Sequence, residues 1–184
     1  MGAEAIQVHP TPPGFWGSPK LDEARVATFK EAAAKHGRPP FYFHAVYLIN
    51  LAGDDPTLRQ RSESTLAGYL KAADDLGVNG VIFHTGSHKG AGFEARLPSI
   101  TEHLQHVLER ADPKSARLLI ENNAGLGSNR DRHANIGTGQ IGEDGFRALL
   151  HERRLAKLPF ILEVPGAGGG PDAEQVATLK RLAA

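Results

Sequence analysis

The sequence VIFH at residues 81–84 places three apolar residues before a histidine, and this pattern decides the fold class. Other copies end in histidine or glutamate and occupy residues 41–44, 118–121 and 160–163, with a weaker fifth copy at residues 6–9. Short apolar runs bounded by turn residues are typical of parallel strands that are buried on both faces. The sequence therefore predicts about five parallel strands.

Helical patterns fill the intervals between these runs. Residues 56–76 carry the clearest signals, because Pro56 suits a first helical turn and Gly77 suits a helix end. Strands that alternate with crossover helices form a βα repeat, so the predicted fold class is α/β with a parallel sheet. The predicted helices span residues 21–36, 56–76, 94–111 and 143–156, and a last helix, capped by Asp172, ends near Ala184.

The residue that ends each strong copy is a potential metal ligand: His44, His84, Glu121 and Glu163. Parallel α/β folds gather their active-site groups at the carboxyl ends of the strands, so these four side chains are expected in one place. The alternative is that each is a strand-end residue with its own hydrogen bond. Two imidazoles and two carboxylates without a thiolate suit zinc or manganese. Two such cations can hold a phosphoryl group between them.

Length, composition and net charge limit the kinds of protein and of metal site that this sequence can form. The chain has 184 residues, no cysteine and a formal net charge of +0. This length predicts a single domain with one substantial core, and the absence of cysteine excludes disulfides and thiolate zinc sites. Zero net charge gives no global basic field, although bound cations can supply positive charge locally. With no membrane-spanning stretch in the sequence, we expect a soluble, cytoplasmic protein.

Further histidines lie outside the strand-end pattern. His36, His103, His106 and His151 fall on predicted helices and are expected to be solvated. His9 is expected to be a loop or core histidine.

Five segments resemble successive signature blocks of the endonuclease IV family, zinc-dependent AP endonucleases built on a TIM barrel. They are FHAVYLINLA (43–52), FHTGSHKG (83–90), LLIENNAGLGSN (118–129), DRHANIGTGQIG (131–142) and PFILEVPG (159–166). The resemblance implies one xylose-isomerase-like domain over residues 1–184. It also implies hydrolysis of the phosphodiester 5′ to an abasic site in double-stranded DNA.

The resemblance also implies roles for individual residues. Glu121 matches the carboxylate that bridges two ions and is the expected catalytic residue. Tyr47 and Leu48 match residues that enter the DNA at the abasic site. The implied metal ligands are His44, His84, Glu121, Asp131, His133 and Glu163. From the residues alone, the Asp131–His133 pair is a weak signal, because an Asp-x-His pair also occurs in surface loops.

The chain departs from the family pattern between Asn129 and Asp131, where two further βα units are expected. We therefore predict an internal deletion with its join near residues 127–131, together with a missing first strand. A full barrel of this type has about 250 residues, so the predicted fold is an incomplete TIM barrel of about five strands instead of eight. Its open sheet edges favour a homodimer.

Two other functions stay open at this point. The missing units would carry ligands of the second and third ions, so a degenerate relative that binds metal or DNA without turnover is one alternative. A sugar isomerase or epimerase is the other, since related barrels use similar ligands. The DRHANIGTGQIG block disfavours the sugar enzyme.

Overall fold

The computed structural model describes residues 4–87, 93–121, 133–139, 141–153 and 160–184. The chain divides into two compact units. The first is Ile6–Asn122, and the second combines Met1–Ala5 with Asn123–Ala184.

The first unit is a βα repeat built on one parallel sheet, in which the strands lie side by side in the order of the sequence. Three helices connect consecutive strands along the chain, as the sequence predicts. The strands are β1 (Ile6–Val8), β2 (Phe41–His44), β3 (Gly80–His84) and β4 (Arg117–Glu121), and the helices are α1 (Glu23–Lys35), α2 (Pro56–Leu76) and α3 (Phe93–Ala111).

Side chains alternate between the two faces of this sheet, as the strand geometry requires. Phe43, Val81 and Phe83 belong to the main buried core, together with residues of α2 and α3. The residues that follow them, His44 and His84, therefore lie on the opposite face. Adjacent strands are in register so that His84 lies opposite Glu121. The apolar pattern thus orients the strand-end ligands to one side of the sheet.

Local sequence signals define α2, whose observed bounds match the prediction. The side chain of Asp55 accepts hydrogen bonds from the backbone N–H groups of Thr57 and Leu58, with Pro56 in the first turn. At the other end Gly77 adopts φ 74°, a left-handed conformation that glycine tolerates without strain. The apolar side of α2 then packs against the sheet.

Asp74, in the last turn of α2, fixes the start of β4. Its carboxylate accepts hydrogen bonds from the backbone N–H groups of Lys114, Ser115 and Ala116, at 2.7–3.0 Å. These bonds hold the pKa of Asp74 below its usual range, because they stabilise the charged form. The segment that leads into Arg117 is thereby tied to α2, and the path of β4 toward Glu121 is set.

The second unit contains α4 (Gly142–Leu150) and α5 (Ala173–Ala183). Ile136, Val164 and Leu182 form its small core. The predicted cap is confirmed, because the Asp172 side chain accepts a hydrogen bond from Gln175 N–H. The helix that was predicted for residues 143–156 ends at Leu150 among the described residues.

Residues 160–163 are described but do not form a strand, so this element of the prediction is wrong. The apolar run is present, but a strand exists only where a neighbouring strand pairs with its backbone. The structure therefore has four strands in its described part rather than about five.

None of the helices in the described part of the chain combines the length and apolar character needed to cross a lipid bilayer.

Candidate metal centre

Three strand ends of the first unit bring His44, His84 and Glu121 together. His44 Nε2 lies 2.8 Å from Glu121 Oε2, and His84 Nε2 lies 3.5 Å from the same oxygen. The two imidazole rings are 5.2 Å apart between centroids. His44 is buried, and the other two side chains are partly buried. The three strand-end residues of the first unit therefore converge, as the sequence predicts for parallel neighbours in one sheet.

The backbone after β2 fixes the orientation of the His44 ring. His44 Nδ1 lies 2.7 Å from the carbonyl oxygen of Ala45, which can only accept a hydrogen bond, so Nδ1 donates. In the neutral ring the lone pair is then on Nε2, the atom that faces Glu121. A backbone carbonyl that holds the outer nitrogen is the usual support of a metal-binding histidine.

These donor atoms fit a divalent transition metal. Nε2 of His44 and the carboxylate of Glu121 are both lone-pair donors at hydrogen-bonding distance, so a cation or a proton is needed between them. One ligand atom from each of the three residues lies within 4.8 Å of the others. Two imidazoles and one carboxylate form a zinc ligand set that leaves a coordination position for water or substrate.

His9 stands beside this cluster, with its ring centroid 4.9 Å from that of His44. It directly follows β1 and is exposed, which agrees with the expected loop histidine. The weaker fifth copy of the strand-end pattern, at residues 6–9, ends in His9 and was the signal in the sequence for a histidine at this strand end.

In the second unit, His133 and Glu163 approach each other, with His133 Nε2 4.0 Å from Glu163 Oε2. Asn135 and Gly166 hold their two segments together. The Asn135 side chain accepts from Gly166 N–H at 2.8 Å and donates to the Gly166 carbonyl at 3.1 Å. Asp131, the predicted partner of His133, lies outside the described residues.

The two residues with expected DNA contacts lie in the turn after β2. Tyr47 is 64% exposed, which leaves its ring accessible to a ligand. Leu48 packs in part against the main core.

A second cluster of potential ligands was missed by the sequence analysis. Glu63 of α2 meets His103 and His106 of α3, and one ligand atom from each lies within 4.8 Å of the others. The prediction that His103 is solvated is wrong, because Glu63 and α2 cover it. The His-x-x-His spacing on one helix was the available signal, since residues three apart share a helix face.

A family model described as a xylose isomerase-like TIM barrel matches residues 1–129. Among curated proteins, the chain is 25% identical to a probable endonuclease 4 of Haloarcula marismortui, over 96% of this chain and 88% of the relative. It is 29% identical to a probable endonuclease 4 of Oleidesulfovibrio alaskensis, over 99% of this chain and 87% of the relative.

A solved structure gives the same fold. The crystal structure of endonuclease IV from Thermus thermophilus superposes with a TM-score of 0.76 and 24% identity, covering 99% of this chain and 88% of the other. With the parallel sheet described above, this likeness confirms the predicted fold class, an incomplete TIM-barrel-like repeat of βα units.

The lengths of these matches bear on the predicted deletion. The match to the Oleidesulfovibrio alaskensis protein extends over 257 residues, whereas this chain has 184. At least 73 of the aligned positions therefore have no residue of this chain opposite them.

Proposed function

The chain belongs to the endonuclease IV family of xylose isomerase-like TIM barrel proteins, and from this premise we propose that it is a metal-dependent phosphodiesterase of DNA base excision repair. Its substrate is double-stranded DNA that contains an abasic site, and the bond it hydrolyses is the phosphodiester 5′ to that site. Zinc is its cofactor, and manganese is the second metal at a weaker position.

The observation that carries this proposal is the convergence of His44, His84 and Glu121 at the carboxyl ends of three parallel strands. These residues would hold the first cation. A bound divalent cation supplies Lewis-acid stabilisation of a phosphoryl oxygen and lowers the pKa of water. The resemblance gives three further metal ligands to this proposal, Asp131, His133 and Glu163.

The chain's own residues prepare this site in two ways. The Ala45 carbonyl holds the His44 ring in one tautomer, so its Nε2 lone pair is ready without reorganisation. The exposed ring of Tyr47 follows the same strand by three residues and offers a flat surface for stacking at the gap of an abasic site.

An incision assay tests the proposal. A labelled duplex with one abasic site is incubated with protein that was freed of metal, and zinc, manganese or both are then added. We expect weak incision with zinc alone and a clear increase with manganese, because the weaker position would keep carboxylates and lose its imidazole with the missing units, and carboxylate ligands suit manganese. The undamaged duplex should stay intact. Cleavage of both duplexes to the same extent would contradict the specificity for abasic sites.

One observation favours a second candidate, a degenerate relative that binds metal or DNA without turnover. The Oleidesulfovibrio alaskensis relative has at least 73 aligned positions that this chain lacks. Losing one electrostatic contributor costs about a hundred- to a thousandfold in rate, and losing more costs more. In the same assay this candidate predicts retention of abasic-site DNA by the protein with no incision under any metal condition.

We also propose that two copies of the chain associate through the edges of the sheet. β1 and β4 are its edge strands, and each exposes apolar side chains, namely Ile6 and Val8 on β1 and Ile120 on β4. Unpaired strand edges with apolar side chains are sites of association. Light scattering across a range of concentrations should show a dimer; a monomer throughout would contradict this proposal.

A further inference from the structure

Glu63, His103 and His106 form a cluster in the helix layer of the first unit, which we call the α2–α3 cluster. His103 and His106 are three residues apart on α3, so both rings project from one helix face toward α2. His103 Nδ1 donates a hydrogen bond to Glu63 Oε1, and His106 Nδ1 lies 3.3 Å from the same oxygen. Both imidazoles therefore converge on one carboxylate oxygen.

The carboxylate of Glu63 is largely buried, so its charge needs a partner. Its side chain is only 11% exposed, and its neighbours Ser62, Thr65 and Leu66 on α2 are buried. A buried carboxylate is costly unless cations or hydrogen-bond donors compensate its charge. On α3, the His103 side chain is 16% exposed and that of His106 is 46% exposed. The cluster is therefore closed on the α2 side and open to solvent at His106.

One of the three distances between the ligand atoms agrees with tetrahedral coordination. Zinc binds histidine nitrogen and carboxylate oxygen at about 2.0–2.1 Å, which puts tetrahedral ligand atoms about 3.3–3.4 Å apart. The distance of 3.3 Å from His106 Nδ1 to Glu63 Oε1 meets this requirement. Metal binding would replace the protons on Nδ1 of the two histidines. It would also lengthen the shorter contact, between His103 Nδ1 and Glu63 Oε1.

We propose that the α2–α3 cluster is a second site for a divalent transition metal of the zinc class, separate from the strand-end cluster. Glu63, His103 and His106 supply three ligands, and the exposed side leaves a position for water. The metal links α2 to α3, the helices on either side of β3 in the chain. Binding therefore stabilises the folded first unit by mass action.

Metal stoichiometry tests this proposal on the full-length chain. Zinc bound after equilibrium dialysis at about pH 7.5, where histidine is mostly neutral, is measured by elemental analysis for the wild type, H103Q/H106Q, H84Q and the control H36Q. His36 is an exposed histidine at the end of α1, in the same unit. We expect H103Q/H106Q and H84Q each to lose about one zinc per chain, and H36Q to lose none. The combined triple variant should lose both.

Two further readouts separate this site from the proposed enzyme. H103Q/H106Q should keep the incision activity of the wild type, whereas it should lose part of the rise in melting temperature that zinc produces. If circular dichroism shows that the double variant does not fold, H106Q is the deciding variant. Its zinc affinity at this site should fall by at least about ten- to a hundredfold, the usual cost of losing even an outer-shell partner of a ligand. Unchanged zinc stoichiometry and affinity in the folded variant would overturn the proposal, as would an equal loss in H36Q.

Discussion

Glu121→Gln is expected to reduce incision of abasic-site DNA by at least about a hundred- to a thousandfold and to remove about one zinc per chain. This size of effect follows because Glu121 is the one carboxylate that the described part of the chain brings to His44 and His84, and one of its oxygens faces both rings. Glutamine keeps the shape of the side chain but is a weak metal ligand. Incision rates and zinc content of the same preparations measure the two effects.

Glu31→Gln is the matched control, because Glu31 is an exposed glutamate of α1, a helix that carries no residue of either cluster. It should leave rate and zinc content unchanged. The melting temperature without metal should also be similar in both variants, since the glutamine amide can donate to a histidine nitrogen. Incision that persists in Glu121→Gln at the wild-type rate would show that it arises at another site or in a contaminant.

Sequence reasoning succeeded where the deciding interactions are local. The bounds of α2 were predictable because Asp55, Pro56 and Gly77 act within a few residues of the helix ends. The meeting of His44, His84 and Glu121 was also predictable, because parallel strands in one sheet bring their carboxyl ends to the same edge.

Sequence reasoning failed where the outcome depends on distant partners. The apolar run at residues 160–163 has the composition of a strand, but pairing with another strand is a tertiary property. The burial of His103 depends on how α3 packs against α2. The partner of His103 on α2 is Glu63, which lies forty residues earlier in the chain. A helical pattern gives the face on which His103 lies but not the carboxylate that this face meets.

Phe83→Ala is expected to lower the free energy of unfolding by about 3–5 kcal/mol, the usual cost of removing a fully buried aromatic ring. Phe83 is 0% exposed in the core between β3 and the helices. Domains of this size are stable by about 5–15 kcal/mol, so the variant would lose much of its stability. Urea unfolding followed by circular dichroism measures the change.

Ile120 provides the matched control, because it pairs in register with Phe83 on the neighbouring strand but is 61% exposed. Parallel neighbours in register point to the same face, so the two positions differ mainly in whether helices cover them. At concentrations where the chain is monomeric, Ile120→Ala should therefore cost less than about 1 kcal/mol. Phe83→Leu should fall between the two variants, since a smaller apolar side chain still fills part of the space. A similar loss in Phe83→Ala and Ile120→Ala would mean that the face of β4 is covered as well. The apolar core would then be covered at β4, where the incomplete barrel is expected to leave an open edge.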